Sequence, residues 1–325
     1  MRRREFISIV GGASLLPLAA RAQQGSNPVV GYLHVGTADH NTYLRDAFRR
    51  GLNEAGYTDG KNVTIEYRMA EGRFDRLPSL AADLVHRQVS VIAAASTPAA
   101  VAAKGTGTTI PIVFETAGDP IKLGLVKSLN HPGDNVTGVT QLSSELISKR
   151  LGLLHELIPG AKSVGLLLDR HDPRTESQVA DMEEAARGLG MQINVFKASD
   201  ETEIDKGFAS FSQAGARGLL VGTGEFLRRR AEQVVKSAEQ AGLPAIYQYR
   251  EFPKAGGLIS YGTNLIDSYR QTGIYTGRVL RGEKPGDLPV LQATKFELVI
   301  NLRAAKALGL TIPPGVLAIA DEVLE

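Results

Sequence analysis

The chain has 325 residues, 43% hydrophobic and 22% charged, which is typical of a folded globular protein long enough for two lobes and excludes a disordered or fibrous chain. It has no cysteine, which excludes disulfides, thiolate nucleophiles and cysteine-based metal sites. The net charge of +2 arises in the first 22 residues, where four arginines accompany one glutamate; residues 23–325 carry −1, so neither nucleic acid nor an anionic membrane is an expected partner.

The first 22 residues predict an export signal that is cleaved after Ala22. Arginines at positions 2–4 precede an apolar stretch from Phe6 to Ala20, and small residues stand at Ala20 and Ala22, as a signal peptidase requires. The pair Arg3-Arg4 resembles a twin-arginine signal, and an arginine-rich general secretory signal is the alternative. The apolar stretch is shorter than a stable membrane span. The mature chain is therefore expected to be soluble in a periplasm.

Strand-like and helix-like segments alternate along the mature chain. In its first part, short apolar or alternating runs predict strands, and amphipathic or proline-initiated runs predict helices. The strands are Val29–His34, Val63–Tyr67, Val89–Ala95 and Ile110–Phe114. The helices between them are Tyr43–Ala55, Leu77–Arg87 and Pro98–Lys104. This order predicts a doubly wound parallel sheet with helices on both faces.

The same alternation restarts after a junction near Gln141. The predicted strands are Ser163–Leu168, Met191–Phe196, Gly218–Val221 and Pro244–Tyr247. The predicted helices are Glu176–Leu189, Glu203–Ala214 and Phe226–Ala241. In the tail, the strand Leu258–Tyr261, the helix Ile266–Leu280 and a last strand, Phe296–Asn301, are predicted to complete the two sheets. We therefore predict lobe 1 from 28–141 plus 263–290, lobe 2 from 142–262 plus 291–325, and several crossovers at the hinge.

Polar residues follow the predicted strands of the first lobe. Because ligands of open parallel sheets bind outside the carboxyl ends of the strands, these residues are candidates for a site between the lobes. Ser96 and Thr97 precede Pro98 at a helix start, where hydroxyls and free N–H groups hold an anion such as a carboxylate or simply cap the helix. Glu115 and Asp119 stand at the end of the fourth strand and after it, and a carboxylate there offers a partner for an ammonium group, although Asp119-Pro120 could instead start a turn or helix. The further candidates of this lobe are Gly36, Thr37 and Thr116.

The second lobe has polar loops at the corresponding places. Asp169 follows its first strand and Thr223 its third, while Tyr247 and Tyr261 end later strands. Tyrosine combines a flat apolar face with one hydroxyl, which suits a small, partly apolar ligand, although a packing role is the alternative. The run Arg228-Arg229-Arg230 is predicted to be the polar side of a helix.

Catalytic motifs are absent from the sequence. There is no nucleophile elbow, phosphate-binding loop or zinc-protease motif, and Gly105-Thr106-Gly107 and Gly222-Thr223-Gly224 lack the third glycine of a dinucleotide fingerprint. The six histidines are scattered and form no ligand set with metal spacing. We therefore expect no catalytic residue, no metal and no cofactor.

Several stretches are similar to a known family. The most specific are Ser260-Tyr261-Gly262 and the segment from Thr294 to Asn301. Others are Phe48-Arg49-Arg50-Gly51-Leu52, Asp75-Arg76-Leu77-Pro78, Ile110-Pro111-Ile112-Val113-Phe114, Asp119-Pro120, Asn135-Val136-Thr137-Gly138-Val139, Lys149-Arg150-Leu151 and Gly256-Gly257-Leu258. Over essentially its whole length, the chain resembles the substrate-binding proteins of ABC transporters, in the family that includes tryptophan- and tyrosine-type binding proteins.

The resemblance implies a type I periplasmic-binding fold, an α/β architecture whose two lobes close around one ligand and dock on an inner-membrane permease. It implies that Ser96 and Thr97 hold a ligand carboxylate and that Asp119 holds its ammonium group. Loops around Asp169, Thr223 and Tyr247 would close from the other lobe. An amino acid, with an aromatic one favoured, is the implied ligand, and a monomer the implied state. The family often has an Asp-Pro-type segment where this chain has glycine on both sides of Thr223. This difference leaves the identity of the ligand open.

Two other functions are compatible with the residues alone. An exported α/β enzyme could use Asp119, Glu115 or His171 on a small molecule. A periplasmic sensor could present its ligand to a receptor kinase, since docking surfaces have no sequence motif. We expect a transport receptor without enzymatic activity.

Overall fold

The structure is a computed structural model that describes residues 27–39, 41–141 and 145–325. The predicted export signal at 1–22 lies outside the described residues. The strands are β1 Val29–His34, β2 Thr64–Met69, β3 Val91–Ala94, β4 Ile112–Thr116, β5 Val136–Thr140, β6 Ser163–Asp169, β7 Gln192–Ala198, β8 Leu219–Val221, β9 Ala245–Tyr247, β10 Ile259–Thr263, β11 Leu291–Gln292, β12 Phe296–Asn301 and β13 Glu322–Leu324.

Helices separate most of these strands. They are α1 Thr42–Glu54, α2 Leu77–His86, α3 Thr97–Gly105, α4 Glu145–Leu157, α5 Thr175–Gly188, α6 Glu201–Gln213, α7 Glu225–Arg229, α8 Ala231–Gln240, α9 Glu251–Lys254, α10 Leu265–Leu280, α11 Leu302–Ala307 and α12 Pro314–Ala318. Short 3-10 helices span Phe74–Arg76 and Pro285–Asp287. Within the described residues, no helix has the length and apolar character needed to cross a membrane.

The strands form two sheets. The first has the order β11-β5-β4-β3-β1-β2 and the second the order β13-β12-β10-β9-β8-β6-β7. Neighbouring strands are parallel except β10 and β12, which are antiparallel. The central strands are buried along their whole length because helices cover both faces of a parallel sheet, as in the fully buried β3, β4 and β8.

We call the first sheet with α1–α3 and α10 lobe 1, and the second sheet with α4–α9, α11 and α12 lobe 2. The chain passes between the sheets after β5, after β10 and after β11. β10 continues to Thr263, and β11 adds Leu291 and Gln292 to the first sheet, so these strands extend past the boundaries predicted after 262 and 290.

Two sequence predictions of elements were wrong. The helix predicted over Phe226–Ala241 is broken at Arg230, which ends α7 and precedes α8. Phe296–Asn301 is not the last strand, because β13 pairs with it in parallel. Such a short strand of exposed and half-buried residues has too little apolar alternation to be recognised in a sequence.

Candidate functional site

A cavity lies between the two lobes, at the carboxyl ends of their central strands. It measures about 420 Å³, including the part that opens to solvent. Lobe 1 contributes residues that follow β1, β3 and β4, and lobe 2 contributes residues that follow β6, β8 and β9. Because this is the edge where open parallel sheets bind ligands, the cavity is the candidate functional site.

Two of the predicted residues, Ser96 and Thr97, lie at the cavity where α3 begins. The Thr97 hydroxyl lies 2.8 Å from the Thr116 hydroxyl and accepts a hydrogen bond from the N–H of Ala117 at 3.2 Å. These two bonds fix the position of the Thr97 side chain. Ser96 makes no capping bond with its side chain, and its hydroxyl accepts from the N–H of Val35 at 3.4 Å. Its proton and the helix N-terminus therefore remain available to an anion.

The carboxylate that lobe 1 brings to the cavity is Glu115. Its Oε1 accepts hydrogen bonds from the Gln141 amide at 2.6 Å and the Ser268 hydroxyl at 3.0 Å, and neither bond uses Oε2. Burial raises the pKa of Glu115, although these two donors act in the opposite direction. The Gln248 amide donates in turn to Gln141 at 3.0 Å, so Glu115 is fixed by side chains from both lobes and keeps one oxygen for a cation.

Lobe 2 brings the guanidinium of Arg174 to the cavity. Asp172 holds it through two bonds, from Nε at 2.8 Å and from Nη2 at 2.6 Å. Burial lowers the pKa of Arg174, but the charge and hydrogen bonds of Asp172, together with Tyr249 and Glu115, raise it above the ordinary value. The side chain is buried, and no described residue accepts a hydrogen bond from Nη1. Arg174 therefore has unused donors for an anionic group.

A second arginine of lobe 2, Arg228, also lines the cavity. The sequence predicted the run Arg228-Arg229-Arg230 to be the polar side of a helix, and for Arg228 this was wrong, because it is only 3% exposed. Its pKa is well above the ordinary value: burial lowers it, but Glu225, Tyr43 and Glu251 together raise it by more. Arg228 pairs with Glu225 at 2.6 Å and with Glu251 at 3.3 Å.

His34 and Tyr269 form one wall of the cavity through a fixed chain of hydrogen bonds. The N–H of Gly36 donates to His34 Nδ1 at 2.8 Å, and the Tyr269 hydroxyl donates to the carbonyl of Ala95 at 2.6 Å. Since that hydroxyl proton is committed, His34 Nε2 must donate to the Tyr269 oxygen, 3.1 Å away. This geometry assigns His34 the neutral imidazole with its proton on Nε2.

The tyrosine that reaches the cavity from β9 is Tyr249, two residues after the predicted Tyr247. Burial raises its pKa, so its hydroxyl stays protonated. Tyr247 instead stacks on Phe252 in the lobe 2 core, with ring centroids 4.5 Å apart. The ring of Tyr261 packs near that of Phe296, with the two centroids 6.4 Å apart. The structure does not bring Tyr247 or Tyr261 to the cavity.

The structure also places Asp119 away from the cavity. Its carboxylate accepts from the backbone N–H groups of Ile121 at 2.8 Å and Lys122 at 3.3 Å, which closes a turn. It borders a separate groove between the lobes, together with Lys122 and Asp181. The turn interpretation of Asp119-Pro120 therefore describes its local structure.

The other predicted residues surround the cavity without lining it. Thr223 is buried, and its N–H and its hydroxyl both donate hydrogen bonds to Gln178 Oε1, at 2.7 Å and 3.0 Å. The carbonyl of Thr37 accepts from the Asn41 side chain at 3.2 Å. A Cβ on Gly36 would lie 2.4 Å from Glu225 Oε1 and from Asn41 Nδ2, so a larger residue here would displace these two side-chain ends.

Asp169 lies buried behind Asp172, with His171 N–H donating to its Oδ1 at 2.9 Å. Its Oδ2 has no hydrogen-bond partner among the described residues. Burial, together with the charge of Asp172, raises the pKa of Asp169 to about 7. The carboxyl therefore stays protonated over much of the range in which an ordinary aspartate is charged.

Replacing Asp169 by asparagine should flatten the pH dependence of stability below neutral pH. Because its pKa is about 7 in place of 3.8, the folded protein keeps a proton that the unfolded chain releases. The free energy of unfolding of the wild type therefore falls as the pH rises toward 7, by up to about 1.4 kcal/mol per pH unit, and the variant lacks this loss. Urea denaturation between about pH 5 and pH 7 measures the two slopes. Parallel profiles would show that Asp169 is already charged at the lower pH.

The cavity thus presents groups of opposite charge from its two lobes, Glu115 from lobe 1 and Arg174 from lobe 2. Across residues 27–39, 41–141 and 145–325, no group of three side chains is arranged to hold a metal ion. Two α/β lobes that enclose a polar cavity between the carboxyl ends of their sheets define a ligand-binding protein of the type I periplasmic-binding fold.

Comparisons with known proteins agree with this class. Residues 37–324 match the family model for ABC transporter substrate binding proteins. A tyrosine-binding protein of Clostridioides difficile is 29% identical over 267 residues, 82% of this chain and 76% of that protein. The chain therefore belongs to the ABC transporter substrate-binding protein family.

Two solved structures are similar to this chain over most of its length. The ABC domain of Streptococcus pneumoniae in complex with L-Trp has a TM-score of 0.85 at 27% identity, covering 92% of this chain and all of that one. A ligand-free, open substrate-binding protein with adhesive properties from Clostridium difficile has a TM-score of 0.68 at 26% identity, covering 91% and 99%.

Proposed function

We propose that this protein is the periplasmic receptor of an ABC importer and that its ligand is an amino acid, with an aromatic one favoured. The observation that carries the proposal is the pair of incompletely bonded charges in the cavity. Glu115 keeps a carboxylate oxygen and Arg174 keeps Nη1 without a partner among the described residues. An amino acid has the complementary ammonium and carboxylate groups, and each would find one of these partners.

The placement of the two charges also couples binding to closure. Glu115 belongs to lobe 1 and Arg174 to lobe 2, so one zwitterion can bond to both only when the cleft is closed. A ligand that makes both bonds binds the closed form better and shifts the population toward it. Ser96, at the start of α3, would be a further donor to the carboxylate.

The remaining cavity wall suits an aromatic side chain. Leu44 and Leu265 supply apolar surface, and Tyr249 and Tyr269 supply flat rings. Such walls with a few placed polar groups are typical of sites for small, partly apolar molecules. The tyrosine-binding relative and the structure solved with L-Trp support the same class of ligand.

The rest of the proposal follows from the family and the export signal. The mature protein would begin at Gln23 after cleavage, diffuse in the periplasm as a monomer, and deliver its ligand to an inner-membrane permease. It would need no cofactor and would return its ligand chemically unchanged.

Calorimetric titration of residues 23–325, refolded once to remove any bound molecule, tests the ligand class. We expect one molecule of L-Trp, L-Tyr or L-Phe to bind with a Kd of about 1 μM or below. Tryptamine and indole-3-propionate, which lack one of the two charged groups, should bind at least about 100-fold more weakly. L-Trp fluorescence gives a second readout because the chain has no tryptophan. Tryptamine or indole-3-propionate binding as tightly as L-Trp would contradict the proposal.

A further inference from the structure

Arg228 differs from Arg174 in how its donors are used. A guanidinium has five N–H donors. Glu225 Oε2 accepts from Nε at 3.1 Å and from Nη2 at 2.6 Å, and Glu251 accepts from Nη1 at 3.3 Å. The Tyr43 hydroxyl accepts from Nη1 at 2.9 Å, and Asn41 Oδ1 accepts from Nη2. Protein groups thus fill every donor of Arg228, although it lines the cavity.

These acceptors come from different lobes. Glu225 and Glu251 belong to lobe 2, as Arg228 does, whereas Asn41 and Tyr43 stand at the start of α1 in lobe 1. Two further bonds cross the cleft at the same place. The Asn41 amide donates to Glu225 Oε1 at 3.1 Å, and the Tyr43 hydroxyl donates to Glu251.

Opening the cleft would separate these partners without leaving a charge unpaired. Arg228 would keep Glu225 and Glu251, which move with it, and would lose only the uncharged partners Asn41 and Tyr43. Separating an ion pair would strand a buried charge, whereas separating a charge from neutral dipoles lets water replace them. The network therefore favours the closed form and remains reversible.

We propose that Asn41, Tyr43 and Arg228 form a latch that sets the equilibrium between open and closed forms independently of which ligand is bound. The inference deepens the proposed function, since it concerns regulation of the same cavity. The affinity measured for any ligand is its affinity for the closed form multiplied by the fraction of closed protein. Loss of the latch should therefore weaken binding of all ligands by one common factor.

Asn41→Ala and Tyr43→Phe test the latch in residues 23–325. We expect each variant to weaken the binding of L-Trp and of L-Tyr by the same factor. For Asn41→Ala this factor should be about 10. Tyr57→Phe is the matched control, because it removes a tyrosine hydroxyl from lobe 1 away from the cleft. Losses that differ between the two ligands would mean that Asn41 or Tyr43 contacts the ligand, and would overturn the latch.

A distance measurement on ligand-free protein separates the latch from the proposed ligand. The chain has no cysteine, so Asp46→Cys in lobe 1 and Glu232→Cys in lobe 2, both exposed, can be spin-labelled alone. Electron–electron resonance should show a larger long-distance population in Asn41→Ala and Tyr43→Phe than in the control Tyr57→Phe, which keeps the latch. Identical distance distributions in folded variants, verified by circular dichroism, would refute the latch whatever the ligand is. A shift would support it even if no amino acid binds.

Discussion

Replacing Gly273 by alanine should lower the free energy of unfolding by about 3 kcal/mol, at the upper end of the range for overpacked cores. Gly273 lies where α10 crosses α1. A Cβ on it would lie 2.1 Å from the Phe48 carbonyl oxygen, and a Cβ on Gly51, in the facing helix, would lie 1.8 Å from the carbonyl oxygen of Arg270. The obstacle is backbone in both cases, so the two helices would have to move apart.

Gly152 provides the matched control for this substitution. It also lies within a helix, α4, but a Cβ there meets nothing within 4 Å. Gly152→Ala should therefore stabilise the protein by about 0.5 to 1 kcal/mol through helix propensity. Urea denaturation of both variants measures the contrast. Equal effects of the two substitutions would mean that α1 and α10 are not in close contact.

The crossing of α1 and α10 also positions the candidate site. α10 holds Ser268, which donates to Glu115, and Tyr269, which fixes His34. α1 begins beside Asn41 of the latch. A displacement of these helices would therefore move groups on both sides of the cavity, and Gly273→Ala should weaken ligand binding as well as stability.

The fold could be predicted from the sequence because buried strands and amphipathic helices leave local patterns. Val29–His34 and Ser163–Leu168 are apolar runs of strand length, and their positions agree with β1 and β6. The alternation of strands and helices then indicates parallel sheets without reference to distant residues. The final strand β13 has no such pattern and depends on its pairing with β12.

The candidate site was harder to predict because the direction of a side chain depends on contacts between lobes. The position after β4 indicated a carboxylate for an ammonium group, and the sequence favoured Asp119 over Glu115. Asp119 closes its own turn, which a short side chain before proline readily does. Glu115 lies within β4 and points into the cavity, where Gln141 and Ser268 hold it. The choice between them depends on Gln141 and Ser268, which are distant from Glu115 in the chain.

Arg228 shows the same limit. In the sequence it is one of three successive arginines, and exposure is the ordinary state of such a run. Its burial follows from Glu225, three residues earlier, and from Glu251 and Tyr43, which are distant in the chain. Arg174 had a local signal, since Asp172 stands two residues before it at the end of a strand, and a loop that pairs its own charges is a candidate for a preorganised anion site.

Arg174→Lys should weaken binding of L-Trp by about 100-fold, which corresponds to about 2.7 kcal/mol. Lysine keeps a positive charge beside Asp172, so the buried carboxylate is not left unpaired. Its compact ammonium cannot reproduce the planar fork that holds Asp172 with two bonds and that would donate to a ligand through Nη1. The loss should therefore fall on the interaction with the ligand carboxylate.

Tryptamine identifies that interaction, because it lacks the carboxylate. If Arg174 binds this group, Arg174→Lys and removal of the carboxylate delete the same contact, and the variant should bind tryptamine about as well as the wild type does. Arg228→Lys is the matched comparison: it acts through the latch, so its loss should be the same for L-Trp and tryptamine. Competition calorimetry measures the six affinities, those of the wild type and of the two variants for L-Trp and for tryptamine. A loss of tryptamine binding in Arg174→Lys as large as the loss of L-Trp binding would place the carboxylate elsewhere and leave Arg174 as a structural partner of Asp172.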